Sequence, residues 1–164
     1  MSPKNLEIQL RSAERADVLY VAARLREADR RELEAASGMS CEDALLTSWL
    51  SSDYAVSGIG SDGMPLALFG YRGLGVSGAV PWCACTERVQ FSVSPADARA
   101  FLRISREVAQ QLEFKFTSQK NYVMDEHTAA KRWLRALGYK LCAPEPYGPF
   151  GALFCKFYKY SGKL

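Results

Sequence analysis

The stretch from Asn121 to Tyr139 constrains the fold of this chain more than any other. Residues 121–124 read as a short strand. Asp125, Glu126 and His127 form a tight turn. An amphipathic helix follows over Thr128–Leu137, with Gly138 at the position just past its end, where a left-handed backbone closes a helix. Tyr139 to Ala143 reads as the next strand. A helix pinned between two strands has to lay its apolar face on a sheet, so this stretch demands a layered α/β arrangement.

The rest of the chain supplies the remaining elements. Leu6, Ile8 and Leu10 alternate with polar residues, so residues 5–11 read as a half-buried strand. Ser12 is placed to cap the helix that follows, with Asp17 in its early turns and Val18, Val21, Ala22, Leu25 and Ala28 on its apolar face. Arg24, Arg26, Arg30 and Arg31 interleave with Glu27, Asp29, Glu32 and Glu34 and read as a solvated helix face. Gly38 breaks this helix. Ser40-x-x-Asp43 opens a second one, with Leu45, Leu46, Trp49 and Leu50 as its stripe. Tyr54–Ile59 and Pro65–Tyr71 form a hairpin around the turn Ser61-Asp62-Gly63. Gly70, Gly73, Gly75 and Gly78 read as a flexible connection, and Val80–Glu87 as a fourth strand. These glycines do not join a strand to a helix, which rules out a dinucleotide-type phosphate loop.

Ser94 and Pro95 mark a helix start, with Phe101, Ile104, Val108 and Leu112 as the buried stripe. Phe150–Tyr160 reads as the last strand, after a loop holding Pro144, Pro146, Gly148 and Pro149. The expected order is β-α-α-β-β-β-α-β-α-β-β. It describes one domain over residues 1–164, with a central twisted mixed sheet of about seven strands and about four helices.

Composition narrows the function classes. A net charge of +3, dispersed along the chain, argues against a nucleic-acid partner, and the Phe, Tyr and Lys residues of the last strand read as a strand with one core face. No apolar run is long enough to span a membrane, and the first residues lack the apolar core of a signal peptide. Cys83 and Cys85 share one strand face. With Cys142 and Cys155 they are too dispersed for a zinc site, so core thiols and no metal are expected, in a reducing cytoplasm.

The element order and the stretch 121–139 resemble the GCN5-related N-acetyltransferase (GNAT) superfamily, whose segment reads V-x-x-x-N-x-x-A-x-x-x-Y-x-x-x-G-F. Val123, Ala130 and Gly138 match it. His127 stands where the pattern has asparagine, and Leu134 where it has tyrosine. The resemblance implies acetyl-CoA as cofactor, with its pyrophosphate at the turn before the long helix. There the family carries a glycine-rich turn, and this chain has Arg88, Val89, Gln90, Phe91, Ser92, Val93, Ser94 and Pro95, with no glycine. On this alignment the cofactor-binding positions are Arg88, Ser92, Val93, Ser94 and His127. Glu87 takes the place of a general base at the end of the fourth strand. With leucine at 134, an active enzyme would need Tyr139, or Tyr122, to substitute as the acid from a strand.

A second resemblance rests on the opening from Leu10 to Asp17, on Pro81-Trp82, and on Asn121-Tyr122-Val123 with Leu134 in place of tyrosine. Together these are similar to small GNAT-like proteins of short-tailed phages, of the internal virion or assembly type. That resemblance implies a protein of the infected bacterial cytoplasm, or one associated with the virion, that binds a phage structural or host protein. The expectation is therefore a GNAT-like fold with a degenerate acetyl-CoA site acting through protein contacts. The alternative is an active acetyl-CoA-dependent N-acetyltransferase.

Overall fold

The structure, a computed structural model, describes residues 9–161. In chain order it contains β1 (Gln9–Ser12), α1 (Arg15–Ala22), α2 (Glu27–Ser37), α3 (Cys41–Ser51), β2 (Tyr54–Ile59), β3 (Pro65–Leu74), β4 (Gly78–Cys85), α4 (Pro95–Lys115), β5 (Ser118–Met124), α5 (Thr128–Ala136), β6 (Lys140–Leu141), β7 (Glu145–Tyr147) and β8 (Ala152–Tyr160). The strands form one sheet in the order β1-β2-β3-β4-β5-β8-β6, and β7 also pairs with β8. Every pairing is antiparallel except β4 with β5.

Two helical layers cover the sheet. Residues 65–71 of β3 are buried without a break, as a central strand covered on both faces requires. Phe69 and Tyr71 of β3 face Phe101, Ile104, Val108 and Leu112 of α4. Leu68 and Ala84 face the opposite way, onto Val18, Val21 and Leu45 of α1 and α3. Under α5, Val123, Leu134, Tyr139 and Phe157 form a third cluster.

Three readings of the sequence change, and part of a fourth lies outside the described residues. The first predicted helix is two helices, capped from Glu14, whose backbone N–H donates to Asp17 at 2.9 Å. It breaks because residues 24–26 leave the helix to pair with the end of β4. Leu25 bridges Thr86, Arg26 N–H donates to Cys85 C=O at 3.0 Å, and Glu87 N–H donates to Arg24 C=O at 3.1 Å. The glycines at 70, 73 and 78 lie within β3 and β4, and only Gly75 turns the hairpin, at φ +72°. A Cβ at Gly70 would meet the Trp82 ring at 2.5 Å, so this glycine makes room for an indole. The loop after β6 contains β7, which gives eight strands and five helices among the described residues. The alternation at Leu6 and Ile8 lies outside the described residues, and β1 carries the remainder of that prediction.

Candidate functional site

The parallel strands β4 and β5 pair at only two positions, Gly78 with Ser118 and Ala79 with Gln119, and then diverge. Divergence leaves each strand with an inner edge of N–H and C=O groups that need partners. It also opens a cleft of about 180 Å³ whose lining includes Arg26, Asp29, Glu32, Asn121, His127 and Trp133. A wider mouth of about 430 Å³ shares Arg26 and His127 with it and adds Arg31, Glu87, Gln90 and Glu126.

The chain's own side chains occupy much of both edges. Asn121 bridges the start of the gap. Its Nδ2 donates to Pro81 C=O at 2.8 Å and its Oδ1 accepts from Tyr122 N–H at 2.8 Å. Further along, α2 reaches in. Asp29 accepts the Cys85 N–H of β4 at 2.8 Å, and Glu32 accepts the Met124 N–H of β5 at 2.8 Å. Arg26 N–H takes the Cys85 carbonyl. The first turns of α2 thus tie the two diverging strands together.

Asp29 is 5 % exposed and is the hub of this arrangement. It accepts from Arg26 at 3.1 and 3.2 Å, and its Oδ1 lies 2.5 Å from His127 Nε2. Burial opposes the Asp29 charge, but the His127 hydrogen bond and the Arg26 guanidinium outweigh it and hold the carboxyl below its ordinary value. Glu32 has no such direct cation, and burial pushes its carboxyl up to about 7. His127 Nδ1 accepts from Ala130 N–H at 3.2 Å and caps α5. That fixes the proton on Nε2, facing Asp29, so both ring nitrogens are engaged. The alternating charges of residues 24–34 are therefore not one solvated face. Arg30 and Arg31 pair with Glu27 and Glu34 at the surface, while Asp29 and Arg26 turn inward.

At the phosphate end of the expected site, several backbone donors are engaged as well. Val93 and Ser94 N–H both donate to Gln90 C=O at 3.0 Å. Asp97 N–H donates to Ser94 Oγ at 3.4 Å, and Pro95 has no N–H. Arg88 lies between two carboxylates, 2.8 Å from Asp62 and 3.1 Å from Asp97. Ser92 and Val93 are exposed in this turn, as is Phe91. Asp97 also places negative charge at the N-terminus of α4, where a phosphate would sit.

Glu87 is exposed at the mouth. Tyr139 is buried at the closed base of the gap, where its hydroxyl donates to Gln119 and burial raises its pKa above the ordinary phenol value. The structure thus brings His127 and Glu87 to the cleft and its mouth. It keeps Arg88 and Ser94 on the α4 side and holds Tyr139 at the base. Leu134 is buried in the cluster under α5.

Trp133 also lines the cleft, because α5 turns both residues 133 and 134 toward the sheet. Its ring lies 5.7 Å from that of Phe101, and its buried Nε1–H has no acceptor among the described residues. The Cys83 and Cys85 sulfurs lie 3.6 Å apart, and burial holds the Cys83 thiol protonated. Among the described residues no group of His, Cys, Asp or Glu is arranged to hold a metal, and no helix is long and apolar enough to cross a membrane. The sequence reading missed Asp29 and Glu32. Their only signal was spacing, because residues three apart share a helix face.

No protein-family model matches this chain, and no curated protein matches it. Solved structures do. A GCN5-related N-acetyltransferase from Kribbella flavida superposes with a TM-score of 0.63 at 16% identity, covering 93% of this chain and 97% of that one. The fold is that of the GCN5-related N-acetyltransferases. A GNAT superfamily phosphinothricin acetyltransferase from Sinorhizobium meliloti, solved in complex with AcCoA, matches with a TM-score of 0.67 at 12% identity over 96% and 90% of the two chains. The ribosomal-protein-S18-alanine N-acetyltransferase from Escherichia coli matches with a TM-score of 0.63 at 15% identity over 95% of each. At these identities the shared property is the GNAT fold. Within it, Val93 and Ser94 N–H and the inner-edge N–H groups of Cys85 and Met124 are already bonded within this chain.

Proposed function

We propose that this GNAT-fold chain has a closed cofactor seat and acts by binding other proteins, not by transferring acetyl groups. One observation carries the reading: Asp29 and Glu32 hydrogen-bond the inner-edge N–H groups of Cys85 and Met124. A thioester arm entering between β4 and β5 would compete for those same donors. The bond to the Asp29 carboxylate is worth about 1.5–3 kcal/mol and the one to Glu32 adds to it, so displacing both weakens binding. The pyrophosphate would also meet the Asp97 carboxylate at the N-terminus of α4. The resemblance of Leu10–Asp17, Pro81-Trp82 and Asn121–Val123 to short-tailed phage proteins supports contacts with a virion or host protein inside an infected bacterium.

A second reading has its own support. Trp133, which lines the cleft, keeps a buried Nε1–H with no acceptor among the described residues, and relatives in fold such as the Sinorhizobium meliloti enzyme were solved with AcCoA. On that reading the protein is an acetyl-CoA-dependent N-acetyltransferase, α2 shifts out of the gap, and Glu87 is the base at its mouth. Calorimetric titration with acetyl-CoA and with CoA separates the two. No heat at millimolar ligand is expected, and micromolar binding would establish the second reading over the first.

A further inference from the structure

The helices α4 and α5 lie side by side on one face of the sheet, joined through Phe101 and Trp133. Their outward surfaces carry Arg99, Arg103 and Arg106 on α4, and Arg132 and Arg135 on α5. All five are exposed, and none makes an ion pair or a side-chain hydrogen bond among the described residues. On the other side of the molecule α2 treats its arginines differently: Arg30 binds Glu27 and Glu34, and Arg31 binds Glu27. Arg99, Arg103 and Arg106 follow one another at helical spacings of four and three. They form a straight stripe over about 10 Å of helix. Like charges at those spacings weaken a helix. The long helix therefore carries three clustered positive charges that make no ion pair among the described residues, with Glu107 one turn beyond Arg103 as the nearby acid on the same helix.

We infer that the α4–α5 surface is the docking face, and that it takes an acidic helix of a partner protein. This rests on the protein-contact reading above and names the partner's chemistry. Three features favour a helix bearing carboxylates. A facing helix with acids at the same three- and four-residue steps matches the pitch of the stripe. The guanidinium forks of arginine engage carboxylates in pairs. The unpaired cations of the face are also arginines alone, since Lys115 of α4 donates to Tyr71 and Lys131 of α5 pairs with Asp125. Arginine is enriched and lysine depleted at protein interfaces, whereas surfaces for nucleic-acid phosphate draw on both. Lys120, Lys140 and Lys156 sit instead on β5, β6 and β8.

The test is binding of the full chain to a labelled helical peptide bearing glutamate at alternating three- and four-residue steps. A single-stranded DNA oligonucleotide of equal charge runs beside it. The wild type is expected to prefer the peptide, with affinity falling as salt rises. Each exposed arginine–carboxylate pair is worth a factor of about two to five, so the triple variant Arg99→Gln/Arg103→Gln/Arg106→Gln should bind about tenfold more weakly or worse. Arg132→Gln/Arg135→Gln should lose a smaller factor, and Arg15→Gln/Arg72→Gln, two exposed arginines elsewhere, should lose none. All replaced side chains are exposed, so a melting temperature no lower than wild type confirms folding. Unchanged peptide binding by the triple variant overturns the assignment, as does failure of the wild type to bind the peptide. Tighter binding of the oligonucleotide overturns it in favour of nucleic acid. Acetyl-CoA binding would instead sink the protein-contact reading and leave the arginine face to be judged by its own probes.

Discussion

Replacing Asp29 with alanine removes the hub that joins α2, β4 and α5. Three donors lose their acceptor at once: Arg26, His127 Nε2–H and Cys85 N–H. Breaking a buried ion pair from one side costs about 3–5 kcal/mol, because the partner charge stays buried and unmatched. For a chain of this length each kcal/mol lowers the melting temperature by about 2–4 °C, so Asp29→Ala should melt about 6–20 °C below wild type. Urea unfolding followed by tryptophan fluorescence measures the loss directly. A double-mutant cycle with His127→Ala then isolates the pair, and its coupling should exceed about 1 kcal/mol. A loss below about 1 kcal/mol for Asp29→Ala would refute the reasoning, since exposed charges are worth that little. The stabilisation should also be present above the ordinary Asp value of 3.8 and fade as pH falls through the lowered folded value.

Glu32 predicts the opposite pH dependence. Its folded pKa is raised from 4.5 to about 7, so the folded state binds the extra proton and stability should fall as pH rises from 4.5 to 7. Glu32→Gln keeps an acceptor for Met124 N–H, and should flatten that slope and gain up to about 3 kcal/mol at pH 8 by urea unfolding. Tyr139→Phe should cost about 1–3 kcal/mol, because the buried Gln119 Oε1 loses its donor. Gly148→Ala should destabilise by more than about 1 kcal/mol: its φ of +77° disfavours a side chain, and a Cβ would meet Ala35 C=O at 2.5 Å. Thermal melts of both variants check these values.

Local rules made much of the fold legible. Ser94 does cap α4, its Oγ accepting from Asp97 N–H, and Gly138 does close α5 at φ +94°. Period-two and helical stripes located most of the strands and helices because a half-buried face shows in sequence. The break at residues 24–26 did not show. It arises when Leu25 pairs with Thr86, sixty-one positions away, and no local propensity encodes that pairing. β7 was hidden for a similar reason: Glu145-Pro146-Tyr147 has little strand propensity and is held by β8.

For the site, absent chemistry was easier to read than present chemistry. The missing glycines before α4 and the leucine at 134 stand in the sequence. The pairing of Arg88 with both Asp62 and Asp97 does not, since Asp62 comes from the distant β2–β3 turn. Asp29 and Glu32 looked like solvated charges because their neighbours Glu27, Arg30 and Arg31 are exactly that kind of residue at the surface. Only the divergence of β4 and β5 creates the unmet N–H groups that draw those two carboxylates inward.

The most direct test of the closed seat is to follow the backbone amides of Cys85 and Met124 by ¹⁵N–¹H NMR while acetyl-CoA is added to millimolar concentration. If Asp29 and Glu32 hold those donors, both cross-peaks stay where they are in the free protein. If both move and saturate with ligand, the cofactor has displaced the carboxylates, and the account of a closed gap is wrong.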